Sequence, residues 1–192
     1  MSRFAPAIAL GLMCLGLAGC AGSTPPLTYD IVATRSFAAS PKSAKYQLVV
    51  SEPAAVQPLD TNRIMVKPSA GTVSYYKGVA WSDRLPRLVQ TRMVETIQNS
   101  GAVKAVGTTT GDYTLSTELR SFQIDASGGH AAAEVEMFAK LVNNNSGKVV
   151  AQKGFSSRVV SNSDEPAQAV AALNQAFTEV MQDTTTWVAT KR

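Results

Sequence analysis

Hydrophobic and polar positions follow three different rhythms along the chain. Residues 7–18 are apolar apart from glycine and Cys14, a run shorter than the ~20 residues that a transmembrane helix needs. From Leu27 onward, short stretches alternate with period two. Residues 46–50 and 63–67 read as strands with the loop 52–62 between them, and 27–32, 73–76 and 103–106 supply shorter candidates. Between the last two the spacing changes to three and four. Leu85, Leu88, Val89, Arg92 or Met93, and Ile97 line one face of a helix predicted over 83–99, with Ser82 as its N-cap, Pro86 in its first turn and Gly101 as its stop. The residues between 35 and 45 are small, polar and broken by proline, which reads as a loop.

Three longer strands follow. Over 112–125 the apolar phase switches from Tyr113, Leu115 and Leu119 to Phe122 and Ile124, so a bulge is expected near Arg120. Over 132–142, Val135, Met137, Ala139 and Leu141 alternate with Glu134, Glu136, Phe138 and Lys140, which leaves one face half-exposed. Asn144-Asn145-Ser146-Gly147 is a hairpin turn in which asparagine and glycine are expected to supply the left-handed positions, and 149–160 returns antiparallel. A last helix starts near Asp164 or Pro166, with Val170, Leu173, Phe177, Val180 and Met181 as its stripe. The sum is a β-rich α/β domain with a mixed sheet and two main helices.

The amino terminus changes this picture. Arg3 precedes the apolar run and Leu17-Ala18-Gly19-Cys20 follows it, which is the layout of a secretory signal peptide. The last four residues resemble the bacterial lipobox. That resemblance implies diacylglycerol on the Cys20 thiol, cleavage after Gly19, and further acylation by a fatty acid such as palmitate. Residues 1–19 are then a lipoprotein signal, 20–26 the anchor and a short Gly/Ser/Pro linker, and 27–192 one domain. Several acyl chains together hold a protein stably at a bilayer. Ala21 after Cys20, in place of aspartate, resembles the outer-membrane class of enteric lipoproteins and points the domain into the periplasm.

Removing the signal takes Arg3 with it and leaves a charge of +3, too little and too scattered for a nucleic-acid surface. The chain has two cysteines; Cys14 leaves with the signal and Cys20 is consumed by lipid, so disulfide, thiol and cysteine-metal chemistry are excluded from the mature domain. One histidine, His130 beside Gly128-Gly129, cannot build a usual zinc site, and there is no Gly-x-Ser-x-Gly elbow to accompany it in a triad. Ser74-Tyr75-Tyr76-Lys77 matches Ser-x-x-Lys, but its Ser-Asp-Asn and Lys-Thr-Gly companions are missing. Glu134 and Glu136 share a strand face, yet Lys140 beside them marks an ordinary solvated surface. No enzyme activity, metal or cofactor is expected. Tyr75, Tyr76 and Trp81, three large aromatics within seven residues, are the candidate contacts to a partner or an acyl chain, since tyrosine and tryptophan dominate binding hot spots; the plainer alternative packs them at the sheet-to-helix corner.

The order Leu59-Asp60-Thr61-Asn62-Arg63-Ile64, Tyr75-Tyr76, Trp81-Ser82-Asp83-Arg84-Leu85-Pro86, Asp112-Tyr113-Thr114-Leu115, Phe122-Gln123-Ile124-Asp125 and Trp187-Val188 resembles the ABC-type transport auxiliary lipoprotein family. The resemblance implies an α/β sandwich similar to the N-terminal domain of TolB. It also implies a non-catalytic lipoprotein working with an ABC permease, its ATPase and an MCE-domain protein to move phospholipid between membranes, docked at the outer membrane. Homo-oligomerisation through edge strands is a further expectation. The rival reading is an outer-membrane lipoprotein that regulates a peptidoglycan-synthesis enzyme, against which the short linker counts.

Overall fold

The computed structural model describes residues 25–37 and 44–191. The lipobox with Cys20, most of the linker and most of the loop before Tyr46 lie outside those residues. In chain order the elements are β1 (Leu27–Tyr29), β2 (Gln47–Val50), β3 (Ala54–Ala55), β4 (Arg63–Lys67), β5 (Ser74–Trp81), α1 (Leu85–Ser100), β6 (Lys104–Val106), β7 (Tyr113–Asp125), β8 (Ala132–Asn143), β9 (Val149–Val160) and α2 (Pro166–Ala189).

All nine strands join in one mixed sheet, and β7 is its spine. Along one side β7 pairs antiparallel with β8, which pairs antiparallel with β9. Along the other it meets three short parallel strands in succession: β2 at Tyr113–Leu115, β3 at Glu118–Leu119 and β4 at Gln123–Asp125. Beyond β2 lies β6, parallel to it; beyond β4 lie antiparallel β5 and then β1, parallel to β5. The expected bulge is present, since the β7–β8 register shifts between Leu119 and Ser121.

That shift brings both apolar phases of β7 onto one face. Leu115, Leu119, Phe122 and Ile124 are buried together with Val135, Met137, Ala139 and Leu141 of β8, and both helices pack over this layer. The architecture is therefore one sheet covered on one face by two helices. Met93, fully buried, fills the α1 position for which the spacing left Arg92 as the alternative. Every residue read as the α2 stripe is buried.

Two local expectations are corrected. The N-cap of α1 is Arg84, with no side-chain capping bond; Ser82 instead faces Asp30 (3.4 Å) and the first helical N–H, that of Leu85, donates to the Thr61 carbonyl (2.9 Å). In the β8–β9 turn only Gly147 is left-handed (φ +68°). The turn closes instead on the Asn143 carboxamide oxygen, which accepts the N–H groups of Asn145 (3.1 Å) and Ser146 (3.0 Å), so the asparagines keep ordinary φ.

After β1, residues 30–36 form a strap over the helix pair. Ile31, Ala33 and Thr34 are buried beneath it, and helix side chains hold its backbone. The Asn174 carboxamide accepts the Val32 N–H (2.7 Å), the Thr96 hydroxyl accepts the Thr34 N–H (3.0 Å), and Asn99 and Gln182 donate to the Thr34 and Ser36 carbonyls (both 3.1 Å). Arg92 clamps the start of the strap through Asp30 while also bonding Glu95 (2.8 Å).

Candidate functional site

Three regions gather chemistry-bearing side chains. The first is the aromatic corner of β5. A strand sends alternate side chains to opposite faces, and here that rule separates the tyrosines. Tyr75 lies in register with Met65, itself beside Gln123, on the face away from the helices. Its hydroxyl donates to the Pro58 carbonyl (3.1 Å), and the Arg63 guanidinium lies 3.8 Å from its ring centre. Tyr76 is half-buried on the other face, where burial, and then Asp164, push its phenol pKa up. Trp81 is 1% exposed. It packs edge-on against Phe122 (5.7 Å), which in turn meets Phe177 of α2 (6.0 Å), forming an aromatic chain from sheet to helix. The three aromatics thus do not share one surface, and only the tyrosines keep solvent exposure.

The second region is the uncovered face of β7, β8 and β9. Glu118 bonds Lys140 (2.6 Å) and meets Arg120 (3.5 Å), which reaches Glu136 (3.5 Å) and lies over the Phe138 ring (4.4 Å). Farther along, Arg158 joins Glu134 and Asp125. Lys140 holds the Glu118 carboxyl below the usual carboxylate range; Ser127, ahead of Arg158, does the same for Asp125. Glu134 and Glu136 each have a cationic partner, Arg158 and Arg120. His130 is exposed in the β7–β8 turn. Among the described residues no group of three or more His, Cys, Asp and Glu side chains could hold a metal ion, and no helix is long and apolar enough to cross a membrane.

The third region was not signalled by any motif. A cleft of about 810 Å³ opens where β2, β6 and the end of α1 converge, lined by Lys45, Tyr46, Gln98, Lys104 and Asp112 among others. Tyr46 crosses it to α2, and its ring meets Tyr113 edge-on (5.0 Å). The residues are scattered from 44 to 112, so only the parallel β2–β6 and β2–β7 pairings bring them together.

With this geometry, a family model described as ABC-type transport auxiliary lipoprotein component matches residues 29–184. The chain belongs to that family. Lipoproteins of this family have a membrane-anchored place in the cell envelope, and the family's description makes its members auxiliary components of ABC-type transport. An uncharacterized protein of Bradyrhizobium diazoefficiens is 31% identical over 165 residues, 84% of this chain but 44% of that protein; the chain thus spans under half the length of this curated relative. A crystal structure of a Xanthomonas campestris protein of family DUF330 superposes with a TM-score of 0.80 at 28% identity, covering 84% of this chain and 93% of that one. A second crystal structure, of an uncharacterized protein, shares the fold at 15% identity, with a TM-score of 0.69 and 86% and 99% coverage.

Proposed function

We propose that this auxiliary lipoprotein is a non-catalytic, lipid-anchored accessory of an intermembrane lipid transport system, docking the periplasmic assembly of an MCE-domain protein, an ABC permease and its ATPase at the outer membrane. The family match over residues 29–184 carries the reading. Two features support it. The Leu17-Ala18-Gly19-Cys20 sequence immediately upstream offers a thiol for acylation at Cys20. The carboxylates of the open sheet face are paired with cations, which suits a scaffold and not a reactive centre. The mechanism is tethering: an acyl anchor and a short linker confine the domain to one membrane face, which raises its effective concentration for a partner there. Tyr75 and Tyr76, half-buried on opposite faces of β5, are separate candidate contacts to that partner or to phospholipid, whereas Trp81, buried against Phe122, offers no surface.

The test is recovery of the tagged, acylated protein in mild detergent, with co-purified proteins and lipids identified by mass spectrometry. An ABC permease and an MCE protein are expected. Recovery of a peptidoglycan synthase with no transporter component overturns the reading. The Cys20→Ala variant should keep its fold and leave the membrane fraction; retention after a salt wash removes the anchor from the account.

A further inference from the structure

We infer that the domain stands on the membrane by one end of its sheet, with the β4–β5 turn (residues 68–73) and the β7–β8 turn (126–131) resting on phospholipid headgroups. This rests on acylation of Cys20 as proposed above, and adds an orientation and a contact surface to it.

The argument begins with strand direction. β1 runs parallel to β5, with Leu27 opposite Val79 and Tyr29 opposite Trp81. Going backward from Leu27, the chain therefore heads toward Ser74 and the β4–β5 turn. Pro26 and Pro25 precede Leu27, and each fixes its own φ, so these two residues continue the line of β1. The β7–β8 turn lies at the same end, since Lys67 pairs with Asp125 and the Ala126 N–H donates to the Lys67 carbonyl (2.9 Å). The start of α2 joins them through the Ser161 N–H, which donates to the Ala131 carbonyl (2.8 Å).

Length then fixes the height. Seven residue steps from Cys20 to Leu27 reach about 24 Å when fully extended. From Val79 up to Ser74, five strand steps rise about 17 Å, and the turn stands above that. Cys20 can therefore lie no farther out than about the tip of the turn. A domain held so closely cannot hang clear of the bilayer.

The end surface suits headgroups. Its turns are Ser69, Ala70, Gly71 and Thr72 on one side and Ser127, Gly128 and Gly129 on the other, all exposed. Val73 at the turn is 49% exposed, and Lys77 is exposed farther down β5. The Asp125 carboxylate is turned to Ser127 and Arg158, and the remaining acidic groups there, Asp164 and Glu165, lie on the α2 side. The β8–β9 turn and the Tyr46 cleft are at the opposite end, facing away from the bilayer.

The mature domain has no cysteine after Cys20, so single labels are straightforward. The acylated protein, carrying a fluorophore at Ala70→Cys, Gly128→Cys, Asp83→Cys or Asn145→Cys, is reconstituted in phosphatidylethanolamine/phosphatidylglycerol vesicles with shallow spin-labelled lipid as quencher. Quenching severalfold stronger at positions 70 and 128 than at 83 and 145 is the expected result. Strong quenching at 83 with little at 70 puts the opposite end of β5, at the start of α1, on the membrane and overturns the inference. Equal quenching at 70 and 83, the sign of a domain lying on its β1–β5 edge, overturns it too, as does uniformly weak quenching. Intact mass reads the anchor separately. A chain without the lipid adduct overturns the anchor and the inference together, whereas an acylated chain with the wrong pattern overturns the orientation alone.

Discussion

The Tyr46 hydroxyl, one residue before β2, donates to the main-chain carbonyl of Val188 in the last turn of α2 at 2.6 Å. The final carbonyls of a helix have no partner within it, so a side chain 142 positions away in sequence provides one here. The contact ties the C-terminus of α2 to the residue that leads into β2.

Replacing Tyr46 by phenylalanine removes that bond and keeps the ring against Tyr113. A loss of about 1 kcal/mol is expected, read from urea unfolding. Burial, with Tyr113 second, pushes the Tyr46 phenol up to about 12. The folded state therefore holds this proton more tightly than the unfolded chain does. The linked stability is whole below pH 10 and drains away as pH rises through about 12. The phenylalanine variant should show a shallower alkaline loss; an unchanged slope would assign that loss to other groups.

Gly111 is held by space, not by dihedral angle. A Cβ there would lie 2.8 Å from the Gln47 carbonyl oxygen and 3.0 Å from Val49 Cγ2. Beside it the Asp112 N–H donates to that same Gln47 oxygen at 2.9 Å. Gly111→Ala should cost about 1–3 kcal/mol by forcing β2 off β7. Amide exchange should quicken first at residues 48–50, before the β7–β8 ladder responds.

Glu118 and Asp125 are both held below the usual carboxylate range, but by different forces. For Glu118 the first cause is Lys140, on an exposed face; for Asp125 it is the Ser127 hydroxyl, then the Ser127 N–H. Lowered values mean stability that is present above the ordinary carboxylate pKa and is lost as pH falls through the folded one. Glu118→Gln and Asp125→Asn should each flatten the acid limb of the stability curve. In an NMR titration, 1 M salt should return Glu118 toward its ordinary value, because salt screens exposed charges, and leave Asp125 largely depressed. Equal salt sensitivity would contradict the distinction.

The strap yields to a single amide. Asn174→Ala deletes the acceptor of the Val32 N–H and the 3.3 Å donation to the Asp30 carbonyl. At about 1 kcal/mol per bond, losing both corresponds to Val32 exchange faster by roughly thirtyfold, with the β8 amides unaffected. A change in both would make the strap part of the global unit.

The long elements were legible because their signals are local. The β7 phase switch announced the bulge, and a three–four stripe bounded by Pro86 and Gly101 announced α1 to within two residues. What sequence did not show depends on partners far along the chain. β3 is two alanines whose only strand signal is their place beside Glu118 and Leu119. Residues 27–32 read as one strand candidate and 35–45 as a loop, yet β1 stops at Tyr29 and a strap follows, because nothing in Ile31, Ala33 or Thr34 reveals the two helices that bury them. Tyr75, Tyr76 and Trp81 are neighbours in sequence, and alternation along β5 sends them to different surroundings. The Tyr46 cleft is wholly tertiary: its lining meets only after β2 has paired with both β6 and β7.

The position of β7 also sets an order of assembly. A chain delivered to the envelope amino terminus first presents β2, β3 and β4 well before residue 113, and each of the three lacks its β7 partner until then. Such long-range parallel pairing is slow to form, whereas the β7–β8–β9 meander closes through two short turns. β4 can pair with β5, and β5 with β1, before then. But β2 and β3 have no strand partner within the first hundred residues, and β7 is the template that all three early strands need.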